Sequence, residues 1–181
     1  MNLSLLKFRA LFVFLLISIP NVSLANEQDT TLAEPLRMFS KFIGTWESNF
    51  KMMDGNPHVV DVAVWERALN GKAIRSLHSI NDGMYGGEML MFWDKELNTL
   101  VFYYFTTAEF YTKGTIEVVN ENSFIAYEDV SGSDDGITKV KSTSTLVNGN
   151  IEVSTAYLKN DKWTEPEIRT YSPSTKTVKF K

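Results

Sequence analysis

The 181-residue chain has no cysteine. Disulfides are therefore excluded, as is lipid attachment at a lipoprotein-type cysteine, so the core alone must hold the fold. Histidine is nearly absent too, with only His58 and His78. Metal sites want clusters of His, Cys or carboxylates, and none appears, so neither a metal nor a cofactor is expected. Asp134-Asp135-Gly136 lacks the alternating ligands of a calcium loop and reads as a turn. There is no Gly-x-Ser-x-Gly and no phosphate-cradling glycine loop. Basic residues are outnumbered, 18 to 22. Such a balance argues against a nucleic-acid partner and against an anionic membrane surface.

A long hydrophobic run is also missing. Ala10 to Ile19 is apolar but too short to span a bilayer, follows Lys7 and Arg9, and is broken by Pro20. Ser23-Leu24-Ala25 then places small residues where a signal peptidase reads. Residues 1–25 are expected to be a cleaved signal peptide, and residues 26–181 a single domain of 156 residues with net charge −6. The expected product is periplasmic or secreted, with no membrane span after cleavage.

Thr31-Leu32-Ala33-Glu34 has capping-box spacing, Pro35 falls in the first turn, and Leu32, Leu36, Phe39, Phe42 and Ile43 recur at helical spacing up to Gly44. This predicts one N-terminal helix of about three turns. Everything after it reads as about ten short strands. Trp46, Ser48, Phe50 and Met52 alternate with polar residues, and Asp54-Gly55-Asn56-Pro57 turns the chain.

Asn70-Gly71 and Asn148-Gly149 are hairpin signals, because both central positions of a type I′ turn need positive φ. The second predicts Leu146 opposite Ile151, Ser144 opposite Val153, Ser142 opposite Thr155 and Val140 opposite Tyr157, on a drier face placed inward. Hydroxyls among Val and Leu suit a cavity holding water or a partly polar ligand, or else are bonded to backbone or exposed at a barrel end. The first predicts Glu66 with Arg75 on one face, and Trp65 with Ser76 and Ala63 with His78 on the other. Both faces mix charge and bulk, so the inward one is not decided.

Met89 to Trp93 and Leu100 to Phe105 are apolar throughout. A five-residue loop over Asp94 to Asn98 would set Trp93 opposite Thr99, with Glu88, Leu90 and Phe92 facing Tyr104, Phe102 and Leu100 on an inner face. The outer face, with Met91 and Tyr103, would need cover from the helix or from a second copy in a homodimer. Glu88 beside Tyr104 would be an acid/base candidate, or simply a carboxylate meeting water near a barrel mouth. The fold class expected is all-β, a closed or nearly closed antiparallel up-and-down barrel of about 8–10 strands with one N-terminal helix.

Phe42-Ile43-Gly44-Thr45-Trp46, a Gly-x-Trp after a short helix at the start of the first strand, resembles the lipocalin and fatty-acid-binding-protein superfamily, the calycins. The resemblance implies that Trp46 plugs one barrel end and that Arg169 packs across it, both as structural residues. Leu69-Asn70-Gly71-Lys72, Gly86-Gly87-Glu88 and Phe92-Trp93-Asp94 are similar to bacterial lipocalin-like domains of unknown function. Haem-binding nitrobindins carry a longer glycine series after the Trp; here Glu47-Ser48-Asn49-Phe50 follows. His78, alone in a strand, reads as a hydrogen-bonded filler and not an axial ligand.

Three functions are weighed. The first is a non-catalytic exported barrel binding a small, mostly apolar or amphipathic ligand with a polar group, lined by Phe50, Glu88, Leu90, Phe102, Tyr104, Val140, Ser142, Thr155 and Tyr157. The second is an acid/base lyase or isomerase using Glu88, Tyr104 and Arg75. The third is a dimeric or protein-binding envelope component with a solid interior.

Overall fold

The computed structural model describes residues 31–50 and 58–181. The expected signal peptide and the expected turn at Asp54-Gly55-Asn56-Pro57, with the alternation reaching Met52, lie outside the described residues. Eleven strands follow a short 3₁₀ helix, Glu34–Lys41. They are β1 (Gly44–Phe50), β2 (Val59–Ala68), β3 (Ala73–Ile80), β4 (Tyr85–Asp94), β5 (Thr99–Thr106), β6 (Tyr111–Asn120), β7 (Ser123–Ser131), β8 (Ile137–Val147), β9 (Asn150–Lys159), β10 (Lys162–Trp163) and β11 (Glu167–Pro173). β1 to β9 pair in chain order, and β11 bridges β9 back to β1, so ten antiparallel strands close a barrel. Two-residue β10 adds to β9 outside that ring.

The N-terminal helix is 3₁₀ and not α. Leu36, Phe39 and Phe42 are spaced three apart, which aligns them along one side of a helix with three residues per turn. All three are fully buried. The capping box does not form: the N-cap is Ala33, without a side-chain cap bond. Ile43, assigned to the same apolar face, stays partly exposed. The helix plugs one barrel end. Phe39 stacks on Trp65 (centroids 6.5 Å apart, 11° between planes), and both Phe39 and Phe42 meet Phe124 edge-on.

Trp46 is buried beside this plug and donates its indole N–H to the Phe42 carbonyl at 2.8 Å. The expected Arg169–Trp46 stack is not made. Trp46 pairs with Pro173, so counting along the same register puts Arg169 opposite Phe50. Its guanidinium lies 4.0 Å above the Phe50 ring. Four residues of strand, roughly 13 Å, separate Phe50 from Trp46.

Both Asn-Gly hairpins have the expected register, pair for pair. Asn148 and Gly149 both take positive φ, 51° and 81°. The β4–β5 hairpin does not. Asp94 Oδ1 accepts from the Glu96 and Leu97 backbone N–H groups, at 2.8 and 2.9 Å, tightening the connection to four residues and pairing Asp94 with Thr99. A one-residue slip exchanges the faces of one strand against the other. Met89, Met91 and Trp93 therefore share the inner face with Tyr104, Phe102 and Leu100, while Glu88, Leu90 and Phe92 face outward with Phe105, Tyr103 and Val101.

The helix thus does not cover the outer face of this hairpin, and Met91 is fully buried inside the barrel. Tyr103, Phe105 and Tyr111 form an exposed row of rings there. Outside β2 and β3 the cover is the C-terminal tail. The Lys179 N–H donates to Ser79 Oγ at 3.0 Å, and Lys179 Nζ lies 2.8 Å from Asp82.

Candidate functional site

Alternation places Asp61, Ala63 and Trp65 of β2 on the inner face, opposite Ile80, His78 and Ser76 of β3. Tyr85, Met89 and Tyr104 follow around the wall. Asp61, Ala63, Trp65, Ser76, His78, Met89 and Tyr104, with residues of β1, β7, β8, β9 and β11, line a half-open cavity of about 290 Å³. Its floor is apolar, built from Phe42, Trp46, Trp65, Ile151 and Val153; its sides carry Asp61, Ser76, His78, Tyr104, Glu128, Ser144, Arg169 and Tyr171.

A hydrogen-bonded line crosses that wall. Tyr171 donates its hydroxyl to Asp61 Oδ2 at 2.8 Å. Asp61 Oδ1 lies 3.0 Å from His78 Nδ1, and His78 Nε2 lies 2.5 Å from the Tyr104 hydroxyl. Tyr85 completes the line, with its hydroxyl 3.2 Å from that of Tyr104. A carboxylate only accepts, so with the ring neutral Nδ1 carries the hydrogen and Nε2 must accept from Tyr104. The Tyr104 proton is then committed, which makes Tyr85 the donor to Tyr104. The close backbone approach needed for this is made at Gly87: a Cβ there would lie 2.4 Å from the Tyr104 ring.

Burial pushes the Tyr85, Tyr104 and Tyr171 hydroxyls above the usual phenol range, and Asp61 nearby adds to this. All three stay protonated donors near neutrality. Burial also raises the Glu128 carboxyl, against the Thr112 hydroxyl that donates to it at 2.8 Å. For Arg169, burial disfavours the charge, yet Tyr157, Tyr171 and Glu167 outweigh it and the pKa rises. Its Nη2 sits 3.1 Å from Glu167 Oε2.

Of the residues expected to line a site, Tyr104 does. Phe102 is in the apolar core near the plug, 2 % exposed. Phe50 lies under Arg169, and Val140 and Tyr157 stand in the inward row of Glu128. Ser142 and Thr155 face inward but bond to each other at 3.1 Å. Glu88 and Leu90 are corrected: both are on the outer wall. Glu88 there accepts from Arg75 at 2.8 and 3.1 Å, and Arg75 also donates to Glu66 at 3.0 Å. The Glu88–Tyr104–Arg75 acid/base couple therefore does not form. Glu88→Ala is expected to cost only about 0.2–1 kcal/mol in a denaturant titration and to leave interior binding unchanged.

Local sequence pattern does not single out Asp61, Glu128 or Tyr171, and it makes His78 only a hydrogen-bonded filler. The usable signal was the Asn70-Gly71 register, which sets His78 beside Ala63 and so two residues from Asp61.

Glu128 gives a pH test. A carboxyl whose pKa is higher folded than unfolded binds its proton more tightly when folded, so stability falls as pH rises from the unfolded value through the folded one. Glu128→Gln keeps an acceptor for Thr112 and removes the charge. Thermal melts should show the variant more stable than wild type near neutrality, with the two converging in acid below the unfolded carboxylate range.

Set against protein-family models and against curated proteins, the sequence matches none. Fold and site together define the class as a closed antiparallel barrel with a small cavity, apolar at one end and polar along one side.

Proposed function

We propose that this is an exported, non-catalytic barrel of calycin type that binds a small, mostly apolar molecule bearing one polar group, in the periplasm or outside the cell. The observation that carries the reading is the cavity itself. Its volume, about 290 Å³, is at the lower edge of the range usual for small-molecule sites. Aromatic and aliphatic side chains form its floor, and a few convergent polar groups line its side.

Native mass spectrometry of the protein purified from its own cells tests this. A retained mass, lost on denaturation, is the expected result. Protein that is empty as isolated and takes up no small apolar compound contradicts it.

The Asp61–His78–Tyr104 line favours a second reading, an acid/base enzyme, with His78 in the role once sought for Glu88. Turnover of the bound molecule, abolished by Tyr104→Phe with binding retained, would choose it over the first.

A further inference from the structure

The hydrogen-bond directions along the cavity wall restrict what the polar group of a ligand can be. The inference rests on the cavity being a ligand site. With His78 neutral, Tyr104 gives its proton to Nε2 and accepts one from Tyr85, so one acceptor position on its oxygen is left for the cavity. Asp61, held by Tyr171 and His78, is an acceptor only. Glu128, across the space, accepts from Thr112; ionised it offers acceptors only, whereas the protonated form that burial favours adds one donor.

Donors to spare remain on Arg169, which is tied to Glu167 through Nη2 and sits over Phe50, and on the Trp65 indole N–H in the apolar floor. Ser76 and Ser144 can rotate to donate or accept and so select neither. The groups of the bonded line, Asp61, His78, Tyr104 and Tyr85, therefore leave acceptors and no donor for the cavity. An anion there would meet the Asp61 carboxylate, and a carbonyl would face the Tyr104 lone pair. A buried polar group meeting its like is costly, which makes the discrimination large.

We propose that the cavity selects a hydroxyl compound, a small phenol or alcohol, whose O–H donates to the Tyr104 oxygen while its apolar body lies against Trp46 and Trp65. The proton on His78 sets this preference. An imidazolium would donate from Nε2, turn the Tyr104 hydroxyl toward the cavity, and favour a carbonyl instead. The groups facing that ring are Asp61 from β2, Tyr85 from β4, Tyr104 from β5, Glu128 from β7, and Arg169 and Tyr171 from β11.

Four probes of similar size test this: phenol, anisole, acetophenone and benzoate. Binding is read by quenching of the cavity tryptophans, at a pH where the 15N shifts of His78 report a neutral ring. Phenol should bind at least tenfold more tightly than the other three, and Tyr104→Phe should erase that advantage while leaving acetophenone unchanged. Anisole lacks only the donor, so its deficit stands whether or not the variant folds. Equal or tighter binding of anisole, acetophenone or benzoate overturns the proposal, as does a phenol preference that survives Tyr104→Phe. If none of the four enters at millimolar concentration, the reading of the cavity as a ligand site fails with it, which separates the two failures.

Discussion

Replacing Phe42 with alanine is expected to cost about 3–5 kcal/mol of folding stability, seen as a fall in Tm of roughly 6–20 °C. Phe42 is fully buried, packs edge-on to Phe124 with centroids 5.2 Å apart, and tilts on Trp65 at 6.0 Å. It belongs at once to the end plug and to the floor of the cavity. Neighbouring rings on the strands cannot collapse into the space, because their positions are fixed by the barrel's hydrogen-bonded register. Phe42→Leu, which retains most of the apolar volume, should lose much less. A Phe42→Ala variant that melted with the wild type would mean that the helix does not seal the barrel end.

The second large effect belongs to Asp61. Its carboxylate is 4 % exposed in the side chain and takes hydrogen bonds from two half-buried donors, Tyr171 and His78. Asp61→Ala leaves both without an acceptor, at about 1–3 kcal/mol each, so a total loss of about 2–6 kcal/mol is expected. The variant also frees the His78 tautomer. 15N spectra should show the ring hydrogen no longer confined to Nδ1, and interior ligand affinity should fall at least tenfold. Unchanged His78 shifts would show that Asp61 does not orient the ring.

Some of this was legible in the sequence, for identifiable reasons. Asn70-Gly71 and Asn148-Gly149 fix their hairpins because the turn geometry itself demands those residues. Every cross-strand pair then follows by counting, down to Val140 with Tyr157. Asp94-Lys95-Glu96-Leu97-Asn98 carries no such constraint. There the register depends on a side chain, Asp94, folding back on two backbone N–H groups. A five-residue loop would set Glu88 and Leu90 on the inner wall; the four-residue loop sets them on the outer one.

The site was hidden for a different reason. Along β2 the more apolar alternate set is Val60, Val62 and Val64, which ordinarily marks the inner face. Here that set faces outward, with Val60 and Val62 beside tail residues Thr175, Lys176, Thr177 and Lys179, so the mixed set Asp61, Ala63 and Trp65 turns in. Covering by a distant segment cannot be seen in local periodicity. Arg169 was misassigned by the resemblance, which implies an Arg over the strand-opening Trp. In this chain the β1–β11 register delivers Phe50 to it.

The most direct test is a crystal structure of protein purified from its own cells without unfolding, at a resolution that shows a small molecule inside the barrel. The expected density lies between Trp46, Trp65 and the Tyr104 oxygen, with His78 bridging Asp61 and Tyr104. An interior filled by its own side chains, or a His78 ring turned away from both partners, would contradict the account.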